Sequence, residues 1–437
     1  MGLKKLFAQS IIWRGFYFFS VLLMNVFLSR YLRAANTGNL YFIVLIFSFM
    51  QVVLSLSAEA GIVYFASGNI IKRNNLISLM GLWSIVAGIV MIGLTLAYFL
   101  FVPSANRTLL LPYCIYGFFL VCGQSFANYS IAIYYSKENY VTPNLLLGLV
   151  NLVFVLIIPG KNTLINAQHV QLIMYLFFST YFVGGLVVYI SYIIGNKKEG
   201  SFGLPEKEKF KPFLKYSITA LAANVVFFLV YKVDYVFVHY SPVCTAADLG
   251  NYIQVSKLGQ MMFIIPQIIA SVVFPRTASG IDRMKINNAI MLIARLFSQL
   301  FLLAFIITAF FGDRIFVMLF GETFNKMQIP MLIIIPGIFA LSILALLSAY
   351  FSGKGKIKLN LYGAIIGLSV MIIGDFIFVP RYGIIAAAAI STLSYISNLA
   401  YALLHFYRDY SISWIEFVRW KKTDYDWMFT ILKRNIE

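Results

Sequence analysis

The stretch "VFFLVYKVDYVFVHY", Val226 to Tyr240, is apolar except for Lys232, Asp234 and His239. Lys232 and Asp234 stand two positions apart, so on a helix they face different ways and cannot simply neutralise each other. Arg14, Glu59, Lys257 and Arg295 sit in equally apolar surroundings. A charge at the centre of a bilayer costs about 2.5–3.5 kcal/mol, so each of these groups needs a partner or a task. Depth along the chain suggests two pairings, Arg14 with Glu59 and Asp234 with Lys257. Lys232 and Arg295 are then left without acidic mates, and four cations face two anions. The chemistry suited to that excess is the binding of an anion in a water-filled, cationic cleft. Arg14, Lys232, Lys257 and Arg295 are the candidate contacts for an anionic head group. Asp234 and Glu59 are candidates for charge pairing or ion coupling.

Amides also lie within the apolar runs, among them Gln51, Asn151 and Asn224. With aromatic rings they suit a sugar, although hydrogen bonding between helices accounts for most of them equally well. No carboxylate cluster, metal-ligand spacing, nucleophile motif or nucleotide-binding loop appears. No catalytic residue, metal or cofactor is expected, and the chain reads as a carrier rather than an enzyme. Cys114, Cys122 and Cys244 form no CxxC pair and read as small buried hydrophobes.

The elements that must position these residues are set by composition. Hydrophobic residues make up 61% of the chain and charged residues 11%, against about 25% charged in a soluble domain. So few charges cannot cover a globular surface, and the chain reads as an all-α integral membrane protein. Crossing the hydrocarbon core takes about 20 apolar residues. Twelve such runs are found, at about 8–30, 40–66, 76–102, 109–134, 142–158, 170–195, 214–240, 250–274, 287–311, 328–352, 358–379 and 383–407. "VPSANR", "SKENY", "IPGKNT" and "VPRYG" read as turns between them. The first run is too long for a signal-peptide core and reads as an uncleaved helix.

Lys and Arg alternate in density between the connections. One side collects 23, the other 7, and four lie inside runs. That bias puts both termini in the cytoplasm. It also accounts for the net charge of +18 without nucleic acid, since no basic stripe lies on a polar domain. A charged linker, "GNKKEGSFGLPEKEKFK", divides six runs from six. The tail mixes Trp414, Phe417, Trp420 and Trp427 with basic residues and reads as an amphipathic segment on the inner leaflet. The expected organisation is a six-helix lobe at 1–195, a linker at 196–213, a six-helix lobe at 214–407 and a tail at 408–437.

"AANTGN" at 34–39 and "AADLGN" at 246–251 match at an offset of 212 residues. Each is expected in the outer loop between the first two helices of its half. An even number of helices per half gives parallel repeats related by an axis along the membrane normal, an arrangement that suits a central cleft opening to either side.

In order along the second half come "ANVVFFLVYKVDYVFV", "LGNYIQVSKLGQMMFIIPQIIASVVFPR", "LFGETF", "YFSGKGK" and "VPRYGIIAAAAISTLSY". Together they resemble polysaccharide-unit flippases, the O-antigen or capsule exporters of the multidrug/oligosaccharidyl-lipid/polysaccharide exporter superfamily. The first half is similar more loosely, through "SIIW", "LSRYLRAANTG" and "EAGIVYFAS". Ile385 departs from the pattern, standing where the family often has glycine. The resemblance implies two pseudo-symmetric lobes in a V around a central cavity. It implies residence in a bacterial cytoplasmic membrane and alternating access. Its implied substrate is an oligosaccharide on undecaprenyl pyrophosphate, with a polysaccharide polymerase and chain-length machinery as partners. Alternatives are a cation-coupled multidrug exporter, which needs buried carboxylates, and a lipid II flippase.

Overall fold

The computed structural model describes residues 3–102, 104–158, 166–197, 202–278, 283–410, 417 and 419–420. It is all-helical over those residues apart from connections. The elements are α1 (Leu3–Leu54), α2 (Ala58–Ser67), α3 (Arg73–Phe101), α4 (Leu110–Ser136), α5 (Val141–Ile157), α6 (Ala167–Gly195), α7 (Lys207–Lys232), α8 (Asp234–His239), α9 (Ala246–Met262), α10 (Ile264–Ala278), α11 (Arg283–Phe320), α12 (Gln328–Gly353) and α13 (Ile357–Tyr410). Among the described residues nine segments are long and apolar enough to cross a membrane, and α5 is a shorter apolar helix. Large apolar side chains lie on the outside, Leu156 at 84% exposure and Phe310 at 76%. That is the surface of a protein whose solvent is lipid, where backbone polar groups must be satisfied within helices.

The contacts divide the chain into two compact units, residues 1–228 with 319–323, and residues 229–318 with 324–437. The division falls inside α7. In the first unit α4 packs on α3 and α6, and α1 packs on α5. A β-carbon on Gly185 would collide with the backbone carbonyl of Gly123, and one on Gly123 with the backbone of Tyr181. Small residues let two apolar helices approach this closely where the hydrophobic effect offers no drive. In the second unit α12 is central, packing on α13, α10 and α9.

Several expected turns are replaced by sharper breaks. α1 spans 52 residues with one non-helical residue, Arg33 (φ 62, ψ 171). At 1.5 Å per residue it would be roughly 78 Å long, more than twice the hydrocarbon thickness. The strain at Arg33 is accompanied by a hydrogen bond from the freed Ala34 N–H to Thr323 Oγ1, 3.0 Å. α13 has 54 residues and one such break at Gly383 (φ 60, ψ −139), a conformation open essentially to glycine. "VPRYG" is therefore a one-residue break and not a loop.

The matched hexamers also move. "AADLGN" forms the first turns of α9, started by a capping box between Thr245 and Asp248. "AANTGN" opens the helical stretch after Arg33. Both lie in helix starts rather than in loops, because one break or cap is enough to turn the chain.

The expected span 40–66 is interrupted. Leu56 and Ser57 have φ of 53 and 50, left-handed values that side chains with a β-carbon seldom adopt. The run over 287–311 continues as α11 to Phe320. The linker residues 202–206 are non-helical, but α7 starts at Lys207, inside the expected linker. Most of "IPGKNT", residues 198–201 of the linker and most of the tail, including Trp414 and Trp427, lie outside the described residues.

Candidate functional site

The second unit holds most of the buried charge. α7 ends at Lys232, Val233 follows, and α8 opens with Asp234. Asp234 is buried, and its carboxylate is held by hydroxyls. Tyr252 Oη donates to Oδ2 at 2.5 Å and Ser391 Oγ donates to the same oxygen at 3.1 Å, while Tyr235 N–H donates to Oδ1 at 2.9 Å. Tyr252 Oη and Ser391 Oγ are themselves 3.1 Å apart. The capping box at Thr245 sets where α9 begins and hence which face carries Tyr252, and α13 brings Ser391.

The pairing of Asp234 with Lys257 is thus corrected: hydroxyls take the carboxylate, because α9 and α13 present them to it. Lys232 remains near this group. Asp234's charge acts on Lys232, and Lys232's charge acts in turn on Lys257. Both lysines are half-buried. Arg295 is buried on α11, its carbonyl accepting from Ser298 Oγ at 2.7 Å. It is not one of the groups that bond Asp234.

One residue escapes the sequence reading. Asp375, on α13, is completely buried, and neither carboxylate oxygen has a hydrogen-bond partner among the described residues. Asp234 acts on it electrostatically, and both acids act on Tyr252 and Tyr395. The signal was present: "MIIGDFIF" holds a lone acid in an apolar run, the same criterion that singles out Asp234. With Asp375 the four cations face three acids, not two. Tyr252 and Ser391 carried no such signal, since hydroxyls are common in these helices and only proximity selects them. Two buried carboxylates that act on each other repel unless a proton or a cation joins them. No group of three or more His, Cys, Asp or Glu is gathered among the described residues.

The first unit holds Arg14 and Glu59, and it does not pair them. Arg14 lies over the ring of Tyr135, 4.7 Å from its centroid, and 5.4 Å from that of Tyr140. Asn139 fixes this turn by accepting the N–H groups of Val141 and Thr142, each at 3.1 Å. A cation over ring faces is stabilised by the ring quadrupole, and aromatic side chains take the place expected for Glu59. Glu59 stands in the first turn of α2, and its Oε2 is buried without a partner among the described residues. The break before it is held from outside. Trp83 Nε1 donates to Leu54 O at 2.8 Å and Tyr129 Oη to Ser55 O at 3.0 Å, while Asn224 Nδ2 donates to Ser57 Oγ at 2.9 Å. Carbonyls freed inside a membrane need such donors, and here α3 and α4 supply them.

No protein-family model and no curated protein matches the chain. Solved structures do match in fold. "Lipid II flippase MurJ, inward closed conformation" aligns with a TM-score of 0.62 at 17% identity, covering 91% of this chain and 87% of its own. A Vibrio cholerae MATE transporter, VcmN, aligns at 0.64 and 14% identity, covering 94% and 98%. A MOP superfamily transporter from Pyrococcus furiosus, described with a binding pocket of reverse polarity, aligns at 0.63 and 13%, covering 92% and 94%. The chain therefore has the MOP-superfamily transporter fold, that of a multi-pass membrane protein. These neighbours are transporters and not enzymes.

Proposed function

We propose that this protein flips a lipid-linked oligosaccharide, carried on undecaprenyl pyrophosphate, from the inner to the outer leaflet of a bacterial cytoplasmic membrane. The observation that carries the reading is that Lys232, at the end of α7, and Lys257, on α9, are half-buried cations within apolar helices of one compact unit, while hydroxyls bond Asp234. Two such cations in one unit suit a doubly charged anion, and a diphosphate is one. In this reading Lys232 and Lys257 take the head group, and Arg14 and Arg295 are further candidate contacts for it. A membrane potential that is negative inside favours outward movement of an anion by about 2.3 kcal/mol per charge per 100 mV. The helices fit twelve spans once the 46- and 51-residue segments are each counted as two crossings and α5 is added. Both termini then face the cytoplasm, in accord with the distribution of Lys and Arg. The surface polysaccharide machinery, a polymerase and chain-length regulator, is the partner this role requires.

The test is surface glycan in cells whose only copy carries Lys232→Ala with Lys257→Ala. Glycan should be lost while the protein stays inserted at normal abundance. Normal glycan in that double variant would refute the assignment. A second reading, cation-coupled export, is favoured by Asp375 beside Asp234. In vesicles, Asp375→Asn separates the two. Loss of ion dependence with retained lipid-linked oligosaccharide flipping makes the acids a coupling site of the flippase. Ion-driven movement of organic cations by the wild type, with no lipid flipping, favours the exporter.

A further inference from the structure

At one end of the first unit several helix termini are tied together. Arg73, opening α3, donates from Nε to Ser136 Oγ at 3.2 Å and from Nη2 to the Ser136 carbonyl at 3.4 Å, binding it to the end of α4. Asn75 Nδ2 donates to Leu204 O at 3.3 Å, so the non-helical segment before α7 is strapped to the start of α3. Phe202 and Phe210 pack against the core cluster that includes Ile71, Leu76 and Phe213. Lys209 bridges Glu206 at 2.8 Å, and Lys209 and then Lys72 hold the Glu206 carboxyl below its ordinary range.

The result is a fixed strap with two faces. Phe213 is buried, with its ring 5.8 Å from Phe65 and 6.1 Å from Phe210. Lys207, Lys209, Lys211 and Lys215 are exposed, as is Lys72, whose charge acts on Glu206. Exposed apolar side chains neighbour these cations along the chain: Ile70 just before Lys72, Leu204 within the strap, and Tyr216 and Ile218 just after Lys215. Lysines beside exposed apolar groups are what a head-group boundary calls for, where stems lie in the apolar layer and ammonium groups meet lipid phosphates.

We propose that this strap, residues 202–215 with Lys72 and Arg73, is a binding surface for anionic phospholipid head groups. An orientation bias needs only the presence of positive charge on one side. A strap pinned by Asn75 and Phe213 does more, since it holds its lysines at fixed spacing and predicts saturable, head-group-selective binding. An acidic protein segment would make no use of the exposed Leu204, Ile70 and Ile218. The proposal stands apart from the transported substrate and requires nothing of Lys232 or Lys257.

The experiment reconstitutes the full chain in vesicles of phosphatidylcholine with about one quarter phosphatidylglycerol. The protein is then extracted in mild detergent, and the retained lipids are measured by mass spectrometry. The wild type should retain phosphatidylglycerol well above its share of the bath. Lys207→Gln, Lys209→Gln, Lys211→Gln and Lys215→Gln together should cut that retention at least about tenfold and leave phosphatidylcholine unchanged, since four positive charges leave a surface that meets anionic head groups. The four corresponding Arg substitutions should preserve retention, which controls for folding. Retention in proportion to the bath, or equal retention by wild type and the glutamine variant, overturns the proposal. A surface that takes an acidic protein instead gives the second of those results.

Discussion

The two compact units bury their charges in different company. In the first, Arg14 rests on Tyr135 and Tyr140, and Glu59 stands in the first turn after a broken helix. The charges are separate: rings stabilise Arg14, and Glu59 Oε2 is left without a partner among the described residues. In the second, Asp234 acts on both Lys232 and Asp375, and Lys232 acts on Lys257, with Tyr252 and Ser391 bonding Asp234. Isolated buried charges can be tolerated by local packing. Several of both signs gathered in one place have a combined affinity that can change when one of them gains a proton, a cation or an anion. The second unit is accordingly the stronger candidate for the chemistry of transport.

That contrast can be broken by substitution, most severely at the lysines. Lys232→Ala with Lys257→Ala should lower flipping in vesicles by about a hundredfold or more, given 1.4 kcal/mol per factor of ten and charge-assisted contacts of about 1.5–3 kcal/mol each. Arg14→Ala should cost about tenfold or less, and equal losses in the two units would erase the distinction.

Packing gives the next largest effect. Gly185→Ala forces a β-carbon onto the Gly123 carbonyl, an overpacking that should cost about 3 kcal/mol and lower the melting temperature of purified protein. No loss of stability would mean that α4 and α6 are further apart than described.

Asp375 should respond in the opposite direction to Gly185. Asp375→Asn removes one of two mutually repelling carboxylates while keeping its shape. Stability without added cation should rise by about 1 kcal/mol or more, and stabilisation by sodium should disappear. A wild type whose melting does not respond to sodium or protons would count against a cation or proton between Asp234 and Asp375.

The smallest effects belong to the donors of the α1–α2 break. Tyr129→Phe leaves Ser55 O without its side-chain donor and should cost about 1–2 kcal/mol. Trp83→Phe should do the same at Leu54 O. Hydrogen exchange of residues 55–60 would report the loosening, and unchanged exchange in both variants would remove their role as clamps.

Much of the architecture was legible. Apolar runs gave membrane helices because nothing else suits about 20 consecutive apolar residues. The turn at "VPSANR" survives as the interval between α3 and α4. "VPRYG" and the first outer loop were misread because turn-like composition cannot tell a loop from a one-residue break, and Arg33 offers no sign that it will adopt a φ of 62. The break at Leu56 and Ser57 was equally silent. Its stability comes from Trp83 and Tyr129, which stand 29 and 74 positions from the carbonyls they bond. At the site, Asp375 was readable but overlooked, whereas the Asp234–Tyr252–Ser391 cluster joins residues up to 157 positions apart.

The sequence by itself determined that this chain lives in a membrane and that a handful of charges must be explained there, because transfer cost depends on residue type alone. Only the tertiary structure decided which of them meet. Arg14 could have gone to Glu59 and Asp234 to Lys257 on grounds of depth. The choice of tyrosine faces and hydroxyls instead depends on helix rotation and packing, which bring rings over Arg14 and hydroxyls within hydrogen-bonding range of Asp234.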